Sequence, residues 1–160
     1  MLTAMPQITV PRMVLERGDG RGEQTFAWWT RGPHAADGPL FVSATDFYVP
    51  RTADLLRVYL EGLRLRRAWP SLSGAVGMWT WTMPLRKRAG SVSVWRDESD
   101  LQRFIRWAPH VRVMRGYRDR GEISSLSWLE PSFAPRSVWA NAVARLARAR
   151  LERDGQAGAT

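Results

Sequence analysis

Residues 91 to 114 read Ser91-Val-Ser-Val-Trp-Arg-Asp-Glu-Ser-Asp-Leu-Gln-Arg-Phe-Ile-Arg-Trp-Ala-Pro-His-Val-Arg-Val-Met114. The first four residues alternate between polar and apolar side chains and lead into Trp95, which predicts a β-strand over 91–95. Acidic residues then open a helix, since carboxylates are favoured at the positive end of the helix dipole. Leu101, Phe104 and Ile105 form the apolar stripe of that helix. Pro109 ends it and can begin a further helical segment, so this region predicts a strand followed by two consecutive helices.

The residues before this region predict a strand, a helix and a second strand. Residues 40–48 carry β-branched and aromatic side chains at period two, which is typical of a strand. From Thr52 or Asp54, either of which can cap a helix, apolar residues recur at helical spacing as far as Trp69. The apolar stripe of this helix is predicted to comprise Leu56, Tyr59, Leu60 and Leu63. Residues 75–83 alternate again and predict a strand antiparallel to the one that follows.

Residues 123–129 supply a fourth strand, so the order of elements is β, α, β, β, α, β. This order predicts an α+β fold of ferredoxin-like topology with a four-stranded antiparallel sheet. We divide the chain into an N-terminal arm or hairpin (1–38), the ferredoxin-like domain (39–131), and a C-terminal helix with a tail (132–160). The hairpin is assigned to apolar runs at 8–10 and 25–29, the last helix to about 137–151, and disorder to 155–160.

Composition narrows the function classes. The 160 residues contain no cysteine, which excludes disulfide frameworks, thiolate metal sites and cysteine nucleophiles, and fits a reducing cytoplasm. The start has no signal-peptide pattern and no apolar run reaches the length of a membrane span, so we expect a cytoplasmic protein. The net charge of +9 comes from dispersed arginines, with Lys87 the only lysine. We interpret it as charge on solvated faces and predict neither a nucleic-acid nor a membrane partner.

Several motifs are missing from the sequence. It contains no Gly-rich phosphate loop, dinucleotide fingerprint or nucleophile elbow, which leaves nucleotide hydrolysis, NAD chemistry and serine hydrolysis without support. His34 has no metal-ligand spacing to His110, so no metal site is predicted.

Residues 91–114, followed by Ile123 to Trp128, resemble the antibiotic biosynthesis monooxygenase type of dimeric α/β-barrel protein. The resemblance lies in a strand, a Trp-x-Asp turn, a helix with central Phe104, and then His110 with a basic exit. It implies a homodimer in which the open faces of two sheets pack together. Members of this superfamily include cofactor-free oxygenases of polycyclic aromatics, haem-degrading proteins, isomerases and dehydratases, so the shared fold does not choose a reaction.

His110 is the leading candidate for a catalytic group, because neutral imidazole at a helix start can take or give a proton near pH 7. The alternative is that His110 only caps its helix. Arg112, Arg115 and Tyr117 could donate to a substrate enolate or carboxylate. Asp46 could be a general base if its strand turns it inward, or only an acid at the strand edge if it lies in water.

Tryptophan is unusually frequent, with nine in the chain. Those on or beside the predicted sheet are Trp79, Trp81, Trp95, Trp107 and Trp128. Their rings could clamp a flat apolar substrate, or they could fill the core or a dimer interface. In the cofactor-free oxygenases that the sequence resembles, Trp, Asn and Tyr groups steer the substrate, whereas here the only asparagine is Asn141 in the terminal helix.

These observations give a first hypothesis and two rivals. The first is a small cofactor-independent, monooxygenase-like enzyme of specialised metabolism that binds an aromatic or polyketide-like molecule in a Trp-lined cavity. The resemblance leaves haem, with His110 as axial ligand, as a minor alternative. A non-redox cyclase, isomerase or dehydratase could use the same cavity. The remaining rival is a non-catalytic dimeric ligand-binding or interaction domain, for which a solid Trp-filled core is expected.

Overall fold

The alternating segments of the sequence form strands that join in one antiparallel sheet. The computed structural model describes residues 14–17 and 24–157. Its strands are β1 (Val14–Arg17), β2 (Gln24–Arg31), β3 (Leu40–Tyr48), β4 (Ala75–Met83), β5 (Arg88–Trp95) and β6 (Glu122–Glu130). Its helices are α1 (Thr52–Ala68), α2 (Glu98–Arg106), α3 (Ala108–Tyr117) and α4 (Pro135–Ala157). None of the described helices is long and apolar enough to cross a membrane.

The strand order confirms the predicted topology. The order of strands across the sheet is β1-β2-β4-β5-β3-β6. In chain order, β3, α1, β4, β5, α2 with α3, and β6 form the βαββαβ arrangement. The β1–β2 hairpin adds two strands to the β4 edge, through pairs such as Trp29 with Trp79. The predicted apolar run at 8–10 lies outside the described residues. The predicted N-terminal segment 1–38 therefore adds strands to the edge of the central sheet. The predicted C-terminal segment 132–160 supplies α4, which packs on one face of the same sheet.

The helix starts differ from one another in how they are capped. Asp97 caps α2, since its side chain accepts a hydrogen bond from the backbone N–H of Asp100 at 3.0 Å. α1 begins after Arg51 without a side-chain cap, so the predicted cap at Thr52 or Asp54 is wrong. Asp54 is instead buried in the first turn, where it accepts hydrogen bonds from two arginines.

The apolar stripe predicted for α1 is also partly wrong. Leu56 and Leu60 are exposed, whereas Leu55 is buried, and Tyr59 and Leu63 are half-buried. Apolar residues occupy neighbouring positions along this helix, so two overlapping stripes satisfy the helical spacing. The stripe that starts at Leu55 faces the sheet. Sequence spacing alone cannot identify it, because spacing carries no information about how the helix packs on the sheet.

The two faces of the sheet are covered by different helices. We call the face beneath α1, α2 and α3 the three-helix face, and the opposite one the α4 face. On the α4 face, Val138, Trp139, Ala142 and Leu146 of α4 are buried against β3, β4 and β5. Fully burying a side chain the size of Val138 or Leu146 contributes roughly 1.5–3 kcal/mol. α4 extends to Ala157, so the predicted disorder is wrong for 155–157, while 158–160 lie outside the described residues.

α4 also changes the basis of the predicted dimer. The predicted barrel requires an open sheet face, yet in this chain α4 covers the face that the three other helices leave free. Asp46 of β3 strengthens this cover, because Arg150 of α4 donates to its carboxylate at 2.7 Å. A dimer formed sheet to sheet would require α4 to leave. The homodimer therefore stays a prediction, without an open sheet face to support it.

Candidate active site

A cavity of about 260 Å³ lies between the three-helix face and the helices that cover it. The strands contribute small hydroxyl side chains to its floor: Ser43, Thr45, Thr80, Ser91, Ser93 and Ser125. The helices contribute larger apolar side chains to its roof, among them Val58, Tyr59, Leu63, Leu101, Phe104 and Val113. Since none of the described lining residues carries a formal charge, the site suits an uncharged, mostly apolar ligand body.

Gly62 helps to keep this space open. It lies in the interior of α1 and lines the cavity. A Cβ atom placed there would meet only the Thr80 methyl group, at 3.9 Å. Glycine inside a helix costs about 1 kcal/mol relative to alanine. Glycine at position 62 thus lowers the stability of α1, and it leaves this part of the cavity roof without a side chain.

The floor also offers polar atoms to a ligand. The Ser93 hydroxyl accepts from Trp95 Nε1 at 2.9 Å and donates to the Ser43 carbonyl at 3.3 Å. The Thr80 hydroxyl is buried and has no hydrogen-bond partner within the described part of the chain. A buried hydroxyl without a partner costs about 1–3 kcal/mol, so a ligand oxygen that bonded to Thr80 would recover this energy.

His110 lies in the first turn of α3 and in the wall of the cavity. Its Nδ1 atom lies 3.2 Å from the Ile105 carbonyl oxygen. Because a carbonyl can only accept, Nδ1 carries the proton and Nε2 keeps a free lone pair. Burial lowers the pKa of His110 from 6.5, an effect that the bond to Ile105 partly opposes. His110 is therefore a neutral base at neutral pH, with its ring against Phe104 at a centroid distance of 4.5 Å.

Tyr117, at the end of α3, lines the same cavity. Its ring contacts Phe47 edge-on, with 6.1 Å between the centroids. Burial raises the pKa of the Tyr117 phenol, and the negative charge of Glu61 raises it further. The phenol therefore stays protonated at neutral pH and can donate a hydrogen bond. The cavity thus combines a neutral base and a neutral acid.

The other predicted polar candidates lie elsewhere. Asp46 is buried on the α4 face, where Arg88 at 2.8 Å and Arg150 at 2.7 Å pair with its carboxylate. Its strand turns it inward, as the first sequence interpretation required, but toward α4 and away from the cavity. The alternative, an acid at a solvated strand edge, is wrong. Arg112 lies in a groove between α1 and α3, outside the cavity. Arg115 is exposed and lines neither the groove nor the cavity.

The predicted Trp-lined cavity is largely wrong. Trp79 and Trp128 pack on the α4 face, where Trp128 Nε1 donates to Glu130 at 2.8 Å. The Trp81 ring belongs to that face too, beneath Arg150, although the residue borders the cavity. Trp95 packs against Trp69 and Phe104 at one end of the three-helix face. Trp107 lines the groove between α1 and α3.

The aromatic lining comes instead from Phe47, Tyr59, Phe104 and Tyr117, together with His110. Asn141 lies far from it in the fold, since its side chain donates to Glu130 at 3.0 Å from α4. The hydroxyl floor was not predicted, although the sequence contains a signal for it. Serine and threonine recur at period two in neighbouring strands, and register pairs such as Ser43 with Ser93 place them side by side.

Haem does not fit this cavity. Sites for drug-sized ligands occupy about 300–1,000 Å³, and a haem macrocycle needs a site within that range. The cavity at 260 Å³ is smaller, and the Phe104 ring packs directly against His110. The described residues thus offer no space for a macrocycle on the imidazole, and we assign no role to haem.

The fold and the cavity define a ferredoxin-like α+β protein with a cavity beneath its three helices. No protein-family model and no curated protein sequence matches the chain. Among solved structures, the neighbours are ferredoxin-fold proteins related to antibiotic biosynthesis monooxygenases.

One neighbour is an uncharacterised ferredoxin-fold protein of this kind from Listeria monocytogenes, 10% identical, with 74% of this chain and 70% of that one covered and a TM-score of 0.54. A candidate monooxygenase from Lactobacillus acidophilus is 10% identical with a TM-score of 0.51; the match covers 64% of this chain and only 47% of that one. A haem-degrading enzyme from Listeria monocytogenes is 7% identical, with 71% and 80% covered and a TM-score of 0.50. At these identities the likeness shows the fold alone.

Proposed function

We propose that this chain is a cofactor-independent, monooxygenase-like enzyme that oxidises a flat aromatic or polyketide-like molecule. The observation that carries the proposal is the uncharged cavity with His110, a neutral base, in its wall. An apolar cavity strengthens electrostatic interactions with a reacting group relative to open water. The buried Trp side chains fill the core on the α4 face and one end of the three-helix face, but they leave the space beside His110 open. A solid core beside His110 would have supported the non-catalytic alternative instead.

The first chemical step is removal of a proton from the substrate. The CH₂ group of an anthrone-type ketone is unusually acidic, because its anion is delocalised over the fused rings and the ketone oxygen, so a neutral imidazole can act as its general base. His110 Nε2 takes this proton, since Nδ1 is held by Ile105. The resulting enolate oxygen accepts hydrogen bonds from the Tyr117 phenol and the Thr80 hydroxyl, two of the neutral donors in the lining.

The second step uses molecular oxygen as oxidant. The enolate transfers one electron to O₂, and the two radicals combine to form a carbon–oxygen bond. Uptake of a proton gives a hydroperoxide. The second hydrogen of the same carbon then leaves as a proton while the O–O bond breaks and releases hydroxide, and these two together form one water molecule. Overall, a CH₂ group and O₂ become a carbonyl group and one water molecule, so the reaction consumes one O₂ for each product.

The cavity volume limits the size of the substrate. An apolar cavity of roughly 150 Å³ is large enough for benzene. The 260 Å³ observed here accommodates about two fused rings, with further rings extending toward the cavity entrance. The same proton transfer without oxygen would support isomerisation, cyclisation or dehydration, and these reactions would proceed under nitrogen.

An oxygen electrode tests the proposal. Purified protein without added metal or cofactor is incubated with anthrone-type and naphthol-type compounds, and both O₂ and product are quantified. We expect O₂ uptake above the buffer rate, with one O₂ consumed for each quinone-type product. Turnover that continues at the same rate under nitrogen would instead establish the non-redox alternative. No turnover of any compound under either gas would contradict the enzyme proposal.

A further inference from the structure

An open groove of about 560 Å³ lies between α1 and α3, outside the cavity. Four arginines line it: Arg57 and Arg64 from α1, Arg112 from α3, and Arg120 just beyond α3. Trp107 and Pro109 supply an apolar wall. An arginine-rich concave surface focuses positive potential and attracts anions.

The carboxylates near this groove neutralise only part of its charge. Glu61 pairs with Arg64, and buried Asp54 pairs with Arg57 at 3.5 Å and Arg120 at 3.0 Å. These two acids against four arginines leave an excess of two positive charges. Within the described ranges, Arg112 has no acidic partner. Its guanidinium group is therefore available to an external anion.

The groove adjoins the cavity. The two share Leu65, Val113 and Tyr117 as lining residues. Tyr117 lies at this boundary, and its phenol, kept protonated by burial, can donate toward either side. A molecule with its apolar rings in the cavity could thus extend a polar group past Tyr117 into the groove.

We propose that the substrate of this site carries a carboxylate, whose two oxygens bind in the groove to Arg112 while its fused rings occupy the cavity. The inference rests on the proposed function and adds the chemical class of the substrate, an aromatic carboxylic acid. Arginine suits this ligand because its planar fork binds carboxylates through two parallel hydrogen bonds. The neutral cavity then holds the rings, and the charge remains in the wet groove, where little desolvation is required.

A matched pair of probes tests this inference by calorimetry. The probes are a hydroxynaphthoate and its methyl ester, which share the ring system and differ in charge. We expect the acid to bind wild-type protein about tenfold to a hundredfold more tightly than the ester, as expected for hydrogen bonds to a charged group. Arg112→Ala should remove this preference without weakening the ester, and added salt should reduce it, since the groove is open to solvent.

Arg106→Ala is the control, because it removes the same charge from an exposed position of α2 that lines neither the groove nor the cavity. If Arg64 compensates for Arg112, the double variant Arg64→Ala/Arg112→Ala should remove the preference.

Equal binding of acid and ester to wild-type protein would overturn the carboxylate inference and leave the cavity proposal standing. If neither probe bound, both would fail. An equal loss of preference in Arg106→Ala would show a non-specific charge effect and also overturn the inference.

Discussion

Replacing His110 by alanine is expected to lower kcat for oxygen-dependent turnover by about 10²–10⁴-fold, the usual contribution of a positioned general base. The ring is half-buried and makes one hydrogen bond, to the Ile105 carbonyl. Loss of the ring should therefore change ligand affinity only a few-fold. No other described residue that lines the cavity can take the substrate's proton in its place. Steady-state oxygen uptake gives kcat, and calorimetry with the ester probe gives the affinity.

The pH profile supplies a second readout for His110. Because burial lowers the pKa of this imidazole, its neutral form persists below pH 6.5. The rate in wild-type protein should rise with pH through an apparent pKa below that value and then level off. His34→Ala is the matched control, since it removes the only other histidine, which lines neither the cavity nor the groove. Unchanged turnover in His110→Ala, or an equal loss in His34→Ala, would remove His110 from the mechanism.

Asp46→Ala is expected to lower the free energy of unfolding by about 3–5 kcal/mol, the cost of breaking a buried ion pair. The Asp46 side chain is fully buried, and its Oδ2 accepts from Arg88 of β5 and Arg150 of α4. Without the carboxylate, these two largely buried guanidinium groups face each other with no counter-charge. Single domains are stable by about 5–15 kcal/mol, so the loss would take a large share of the stability and loosen α4.

Urea unfolding followed by circular dichroism measures this effect. Arg148→Ala is the control on the same helix, because its ion pair with Glu152 is solvent-exposed. Exposed pairs contribute roughly 0–1 kcal/mol, so this variant should unfold close to wild type. A loss of less than 1 kcal/mol in Asp46→Ala would contradict the view that Asp46 fastens α4 to the sheet.

The sequence predicted the strands better than the site. Residues 40–48 and 75–83 carry strong alternation bounded by turn residues, and β3 and β4 have the predicted limits. The helix break at Pro109 was also predictable, because proline is compatible with a first helical turn. These features depend on local chemistry. Which apolar residues of α1 face the sheet depends on how the helix is rotated about its axis. The sequence does not determine this rotation, because leucines occupy adjacent positions along the helix.

The site depends on pairing across distant elements. His110 was identified from its residue type and its place after Pro109, and the structure places it beside a cavity. The hydroxyl floor is assembled from four strands, so the register had to be known before the serines could be placed together. Asp46 was misinterpreted because its partner Arg150 lies 104 residues away in sequence. The arginines of the groove likewise come together only because α1 and α3 are neighbours.

The most direct test of the account is whether the cavity binds an aromatic ligand, measured with the ester probe on a pair of Gly62 variants. Gly62→Leu places a side chain in the roof above Thr80, whereas Gly62→Ala adds only a methyl group that fits. Both should stabilise α1, by about 0.5–1 kcal/mol for alanine.

We expect calorimetry to show binding to wild-type protein and Gly62→Ala, and a loss of at least about tenfold in Gly62→Leu, since a filled cavity excludes the rings. Equal affinity in Gly62→Leu and wild type would contradict the account, because the ligand would then bind somewhere else.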